Sequence, residues 1–359
     1  MITNFETGGS ERQFSVLAQN LHSNRFRVHP GCISRQGPFV EGFGDAPEFP
    51  LGGNLYGWRS LQARWRLSRH LRRTQVQIAQ AFDFYTNLTL IPAARIARVP
   101  VVIGSHRQLG DLMTPAQFRV QSEAFRWCDA VICNSQAGAN RLATAGLSRD
   151  RLFVIGNALP PEAFIAVPSA LPCRPGVLRV GMVARMNARY KNHSGFLRIA
   201  ARVHEQLPSV EFLLVGDGPL RREIEQESEA LGLGAHLAFL GDRRDMPAVL
   251  AAMDVACLTS ESESLSNVIL EAMAAALPVV AYAVGGNAEL INQQRGTLIA
   301  PGDESGFADA VVQILKVSPS RQEGLRAREF VQENFGVEHV RKRFLDLYEA
   351  LLRKHGLPG

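Results

Sequence analysis

The residues best suited to chemistry lie between positions 178 and 291. In the run 262–273, SESLSNVILEAM, Glu263 stands eight positions before Glu271. Between them Ser266 and Asn267 suit the start of a helix running to Ala276, since their side-chain oxygens accept hydrogen bonds from the unpaired amides of a first turn. The amides of Asn267 and Val268 would then face outward at a positive dipole end, which suits a phosphate. Glu271 lies about a turn further in, and helical side chains lean toward the amino end, so its carboxylate can reach the same ligand. A carboxylate is an odd partner for phosphate and a good acceptor for ribose hydroxyls. The plainer reading makes both glutamates ordinary acids that complement the dipole.

A second group lies at 183–193, VARMNARYKNH, where Arg185 and Lys191 occupy a loop between a buried strand and a helix beginning near Asn192. Together they could clamp a diphosphate, arginine as a planar fork and lysine as a compact charge. Of the 39 basic residues only four are lysine, so lysine at 191 argues against a merely solvated basic loop. In TGGSE, at 7–11, the pair Gly8 and Gly9 precedes a helix beginning near Ser10 and lets backbone approach a phosphate or sugar closely. His106 follows the strand expected at Val101 to Ile103, where a histidine would face a cleft and share a proton near neutral pH. The alternative places it among polar surface residues.

Other chemistries are missing from the pattern. GDGP at 216–219 lacks the third glycine of a dinucleotide fingerprint, and there is no Walker loop, G-x-S-x-G elbow or HExxH run. No Asp-x-Asp pair is present to hold a divalent cation against a diphosphate. Neither a metal nor a cofactor is expected.

The elements that must position these residues alternate as strand and helix. Strands are expected at Arg25 to Val28, Gln75 to Ala81, Pro100 to Ile103, Ala130 to Cys133 and Leu152 to Ile155. Five prolines between Pro160 and Pro175 then suggest a linker. The alternation restarts at Leu178 to Val183, Val210 to Val215, Leu237 to Leu240, Val255 to Leu258 and Pro278 to Ala281. This is an α/β pattern of two doubly wound, Rossmann-like domains with a central cleft: 1–163, a linker at 164–177, and 178–335. Met1 to Asn4 reads as the end of a first strand, either unusually short or cut by a misplaced start. From Ser318 the chain is charged and helical, ending in an amphipathic stretch from Val337 to Arg353.

Composition fits that pattern. The chain has 359 residues, 46% hydrophobic and 20% charged, enough for two cores and too apolar for disorder. Five scattered cysteines, no long apolar run, and Glu6 and Glu11 near the start predict a cytoplasmic protein with free thiols. A net charge of +5 favours anionic partners weakly, and no nucleic acid is expected.

Taken together, GGSE at 8–11, Arg185 and Lys191 with their loop, VGDGP at 215–219, ESLSNVILEAM and VGGNAELI at 284–291 resemble the retaining glycosyltransferases of family 4. The resemblance spans nearly the whole chain and is densest from Leu178 to Ala300. It implies the GT-B fold and metal-independent transfer of a hexosyl-type sugar from a nucleoside-diphosphate sugar to a glycan, lipid-linked or small-molecule hydroxyl. It assigns Arg185 and Lys191 to the donor diphosphate, Glu271 to ribose and Glu263 to the donor sugar. It gives Gly8, Gly9, Ser266, Asn267 and Val268 to the phosphate-binding surroundings, and His106 to the reacting centre with Glu263. It also implies that 336–359 return to the N-terminal domain. The sequence departs from the family at Ser264 and Asn157-Ala158, where glycine is usual in the first position and Asn-Gly in the second. The spacing from Arg185 to Lys191 is one residue longer than the commonest. Two other readings are a sugar-nucleotide epimerase and a sugar-nucleotide-binding protein without turnover.

WRSLQARWRLSRHLRR, at 58–73, is expected to be a helix. Arg59, Arg66, Arg69 and Arg73 fall within about a quarter turn, beside an apolar patch of Trp58, Leu61 and Trp65. Such a face suits peripheral association with an anionic membrane, at its inner, cytoplasmic surface. The favoured alternative is a solvated stripe with the tryptophans packed on the domain, because Leu67 and Leu71 supply a second face to bury.

Overall fold

The computed structural model describes residues 1–22, 25–317 and 321–358, apart from the side chain of Arg321. The chain divides into two units, Met1–Ala158 with Val337–Gly359, and Leu159–Gly336.

The N-terminal unit holds four parallel strands in sequential order: β1 (Ile78–Gln80), β2 (Val101–His106), β3 (Ala130–Cys133) and β4 (Leu152–Val154). Every residue of β2 and β3 is buried, as in a parallel sheet covered on both faces. After β1, the helix Phe84–Ala97 is started by a reciprocal cap, in which the Asp83 carboxylate accepts from the Thr86 amide and the Thr86 hydroxyl accepts from the Asp83 amide. The helix Val337–Lys354 also packs in this unit. Its Val340, Phe344, Leu347 and Leu351 share a core with Phe5, Phe14, Val101 and Ile103.

Two expectations at the front of the chain are corrected. Residues 25–28 form no strand, and Pro30, which has no amide to donate, follows almost at once. Instead the buried Ile2 makes a single parallel bridge to Cys32, which bridges in turn to Glu48. Strand β2, expected to stop at Ile103, runs three residues further, with Gly104, Ser105 and His106 opposite Val131, Ile132 and Cys133.

The C-terminal unit holds six parallel strands: β5 (Arg179–Val183), β6 (Glu211–Val215), β7 (Leu237–Gly241), β8 (Val255–Leu258), β9 (Val279–Tyr282) and β10 (Thr297–Ile299). Their order is β10-β9-β8-β5-β6-β7, so the winding reverses between β5 and β8. Loops leaving the carboxyl ends of strands at such a reversal diverge, and the crevice between them is where ligands of this fold class bind. Edge strand β10 was not expected; its three half-buried residues are too short for a period to show.

The proline-rich stretch from Pro160 belongs to this unit. Pro161–Phe164 form a 3-10 turn, Ala163 and Phe164 pack on its core, and the Ala170 amide donates to Ala248 O at 2.8 Å. Leu159 and Gly336, the two ends of the unit, are joined by a parallel bridge, and the Leu159 amide donates to Phe335 O at 2.8 Å.

Candidate functional site

In the C-terminal unit the expected donor-binding residues leave the carboxyl ends of parallel strands, and so share one end of the sheet. The loop after β5 carries Arg185 and Lys191. It is held from β6 by three backbone hydrogen bonds: Ala184 N to Val215 O, Met186 N to Asp217 O and Leu220 N to Met186 O, each 2.9 Å. Gly216 and Gly218 permit this contact. At φ of 125° and 154°, a Cβ on the first would lie 2.2 Å from Ala184 O and on the second 2.5 Å from the Met186 carbonyl. Arg185 projects from the loop, exposed and in no ion pair among the described residues. The helix His193–Gln206 is capped by Asn192, whose left-handed backbone turns the chain and whose side chain accepts from the Gly195 amide at 3.0 Å.

Across the reversal, the loop after β8 carries Glu263 and Ser266. The Lys191 ammonium meets the Glu263 carboxylate at 2.7 Å, with both side chains mostly buried. Around this pair, Glu261 N donates to Tyr190 O at 2.8 Å and the Thr259 hydroxyl donates to Asn192 O at 2.9 Å. The loop after β9 joins through Gly286 N, which donates to Glu263 O at 3.1 Å. Ser266 caps the helix Asn267–Ala274 by accepting from the Ile269 amide. Asn267 and Val268 are half-buried in its first turn, and Glu271, one turn in, is buried. Two further buried oxygens on these loops, Ser260 Oγ and Asn287 Oδ1, have no hydrogen-bond partner among the described residues.

The N-terminal unit supplies the other candidates. His106 ends β2 and is 1% exposed, so it is not a surface residue. Its Nδ1 lies 3.1 Å from Gln121 Nε2, Gln121 Oε1 lies 3.4 Å from Asn87 Nδ2, and Asn87 exchanges two hydrogen bonds with the Ser105 backbone. That series fixes the amide of Gln121 as donor, so the ring proton sits on Nε2. Nε2 is buried and has no partner at hydrogen-bond distance among the described residues, although the Leu109 backbone acts weakly on the ring. Burial pushes the ring's pKa down to about 4, so His106 is neutral at pH 7 and the expected proton sharing near neutrality is replaced by hydrogen bonding through a neutral ring.

Gly8 and Gly9 open the helix Gly9–Leu21, with Gly8 as its cap. The space a Gly8 side chain would take is filled by the Glu11 carboxylate, whose Oε2 would lie 2.0 Å from a Cβ there. A cavity of about 1220 Å³ in this unit, lined by residues of β1 together with Phe14, Arg27, His29 and Tyr348, contains none of the expected site residues.

Sequence reading did not single out Thr259, Tyr190 or Gly286 as supports of the Lys191–Glu263 pair, nor Asn87 and Gln121 behind His106. VGGN marked Gly286 as part of a motif without saying what it holds. Asn87 and Gln121 lie on helices far from His106 in sequence and carried no signal. Among the described residues no group of three or more His, Cys, Asp or Glu could hold a metal, and no helix is long and apolar enough to cross a membrane.

Two successive parallel α/β units, the second doubly wound with its reversal at β5 and β8, match the GT-B class of glycosyltransferases. HepE from Anabaena, solved with UDP-glucose, superposes with a TM-score of 0.82 over 97% of this chain and 99% of its own, at 22% identity. The galactosyltransferase WaaB of the lipopolysaccharide outer core gives a TM-score of 0.74 over 99% and 100%, at 16% identity. In sequence, the Glycosyltransferase Family 4 model matches residues 7–163 and the Glycosyl transferases group 1 model matches residues 177–317. The lipopolysaccharide core glycosyltransferase LpsE of Rhizobium meliloti is 30% identical over 246 residues, 68% of each chain. The 2-deoxystreptamine glucosyltransferase of Streptomyces kanamyceticus is 29% identical over 286 residues, 73% of each chain. The chain belongs to the group 1 glycosyltransferases, family 4, and is a glycosyltransferase.

Proposed function

We propose that the protein is a retaining, metal-independent transferase that moves a hexosyl-type sugar from a nucleoside-diphosphate sugar to the hydroxyl of a glycan, lipid-linked or small-molecule acceptor. The observation that carries this reading is the convergence of Lys191, Glu263 and the helix Asn267–Ala274 where the C-terminal sheet reverses. That HepE was solved with UDP-glucose, and that a relative is named a glucosyltransferase, support a nucleotide-sugar donor.

In this reading Arg185, Lys191 and the amides of Asn267 and Val268 bind the diphosphate, and Glu271 accepts from the ribose hydroxyls. Ser266 keeps that helix end in place. As the anomeric C–O bond breaks, its electron pair passes to the diphosphate, and the fixed cations and dipole stabilise the charge that develops there. The acceptor oxygen bonds to the anomeric carbon on the same face, and its proton leaves with the departing phosphate oxygen. Glu263 contacts the donor sugar while orienting Lys191, and His106 hydrogen-bonds at the reacting centre. No protein nucleophile is assigned. Positive charge from side chains and helix takes the place a cation would have.

The test is a panel of nucleoside-diphosphate sugars, each with and without acceptor. Acceptor-dependent release of nucleoside diphosphate with retained anomeric configuration supports the proposal. Conversion of a donor without any acceptor would make the protein an epimerase, and a donor-induced rise in Tm with no turnover would make it a binding protein.

A further inference from the structure

The helix Trp58–Arg73 meets its own unit with Ser60, Ala63, Leu67, Ser68 and Leu71, all buried. Ala63, Leu67 and Leu71 join a core with Leu90, Ile91 and Ala94, so the helix is anchored without its tryptophans. The favoured expectation, tryptophans packed on the domain, is overturned. Trp58, Leu61 and Trp65 are 77%, 54% and 57% exposed, and Tyr56 just before them is 79% exposed.

The charges on this face are equally uncompensated. Between Leu51 and Phe82 the sequence has six arginines and no acidic residue. Arg64 turns inward to Leu55 O and Leu88 O, while Arg59, Arg66, Arg69, Arg72 and Arg73 are exposed and form no ion pair among the described residues. Arg69 lies over the Trp65 ring at 4.6 Å, so cation and aromatic face form one surface. A solvated face gains nothing from two exposed tryptophans, and an exposed apolar patch rimmed by charge marks a contact site.

We propose that this face docks on an anionic lipid surface, the tryptophans seated at headgroup depth and the arginines on lipid phosphates. Charge complementarity selects that partner. Gln62 is the one neutral polar side chain exposed on the helix, so the face offers little to read a shaped protein and much to meet a plane of phosphates. The helix runs alongside Phe84–Ala97 in the same direction: Arg64 reaches Leu88 O and, two turns on, Arg72 reaches Ile96 O. Its tryptophan end therefore lies level with the first turn after β1, the end of the sheet at which β2 closes with His106. Docking brings that end of the sheet toward the lipid, which, resting on the transferase reading, selects a lipid-linked acceptor among the three classes proposed.

Sedimentation of the full chain with vesicles of phosphatidylcholine alone, and with phosphatidylglycerol added, tests this. Binding is expected only with phosphatidylglycerol, weakening as salt rises. R66E with R69E should lower vesicle affinity on the order of ten-fold or more, about one factor of five per lost charge before reversal is counted. W58A with W65A should also lower it and leave the Tm and the donor-induced Tm shift unchanged, since both rings lie outside the core. No sedimentation at low salt, equal binding to neutral vesicles, or tryptophan variants that bind as wild type would each overturn the proposal. The donor-induced shift, measured on the same samples, reports separately on the donor site, so either reading can fail without the other.

Discussion

Lys191 and Glu263 hold each other at 2.7 Å, so a diphosphate that engages the ammonium must share it with a carboxylate. Glu271 is buried one turn inside the helix Asn267–Ala274, and in the proposed reading it meets the ribose and not the reacting sugar. The two glutamates should therefore separate in kinetics. Glu271→Ala is expected to raise the Kd for nucleoside diphosphate on the order of ten-fold, the worth of a hydrogen bond to a charged group. Glu263→Ala is expected to lower kcat with a smaller change in Kd; titration calorimetry beside steady-state rates checks both, and equal loss of affinity would contradict the division. His106 makes a second prediction, with a sign fixed by its burial. Its pKa falls from the ordinary 6.5 to about 4, so the folded protein resists a proton that the unfolded chain accepts. The stability this neutral ring contributes is complete above pH 6.5 and is lost as pH falls toward about 4. His106→Gln should flatten the drop in Tm across that window. His106→Ala should cut kcat far more than donor affinity, and no limb near pH 6.5 in the wild-type kcat profile should vanish with it.

At the scale of elements, the turn from Val215 to Pro219 decides where Arg185 stands. Gly216→Ala or Gly218→Ala drives a methyl into the carbonyls of Ala184 or Met186, and either should cost about 1–3 kcal/mol of stability, read as a lower Tm. Donor affinity should fall with it, because the displaced loop carries the arginine. These glycines were visible in the sequence as a motif, and so were most strands. Runs such as AVIC at 130–133 and VACL at 255–258 are buried on both faces, and continuous apolar β-branched stretches mark such strands directly. What could not be read depends on pairing across the fold. Gly104 and Ser105 look like the start of a loop, and only their partners on β3 make them strand and bury His106. Gly8 looks open on its side-chain side, and only the fold brings the Glu11 carboxylate over it. The tryptophans at 58 and 65 look like core by residue type alone, yet the smaller Ala63 and Ser60 occupy the buried face.

For the whole molecule, the proposed metal independence has a direct test: transfer is expected to persist in EDTA, and rescue by magnesium after its loss would refute that. The helix Val337–Lys354 buries Val337, Val340, Phe344, Leu347, Tyr348, Leu351 and Leu352, all within the N-terminal unit. A chain ending at Gly336 should therefore lose the N-terminal unit's cooperative unfolding transition. The fragment 159–336 is expected to keep its own transition and its donor-induced Tm shift, since its ends are already bridged. The same arrangement sets an order on biosynthesis. A ribosome delivers Met1–Ala158 first, but that unit lacks seven of its buried side chains until residues beyond Gly336 emerge. Leu159–Gly336 contains everything its own core uses as soon as it leaves the exit tunnel. The half that is translated second is then the first to mature, and the nascent N-terminal half waits, with apolar surface uncovered, for the closing helix. That interval is where a chaperone would find this chain.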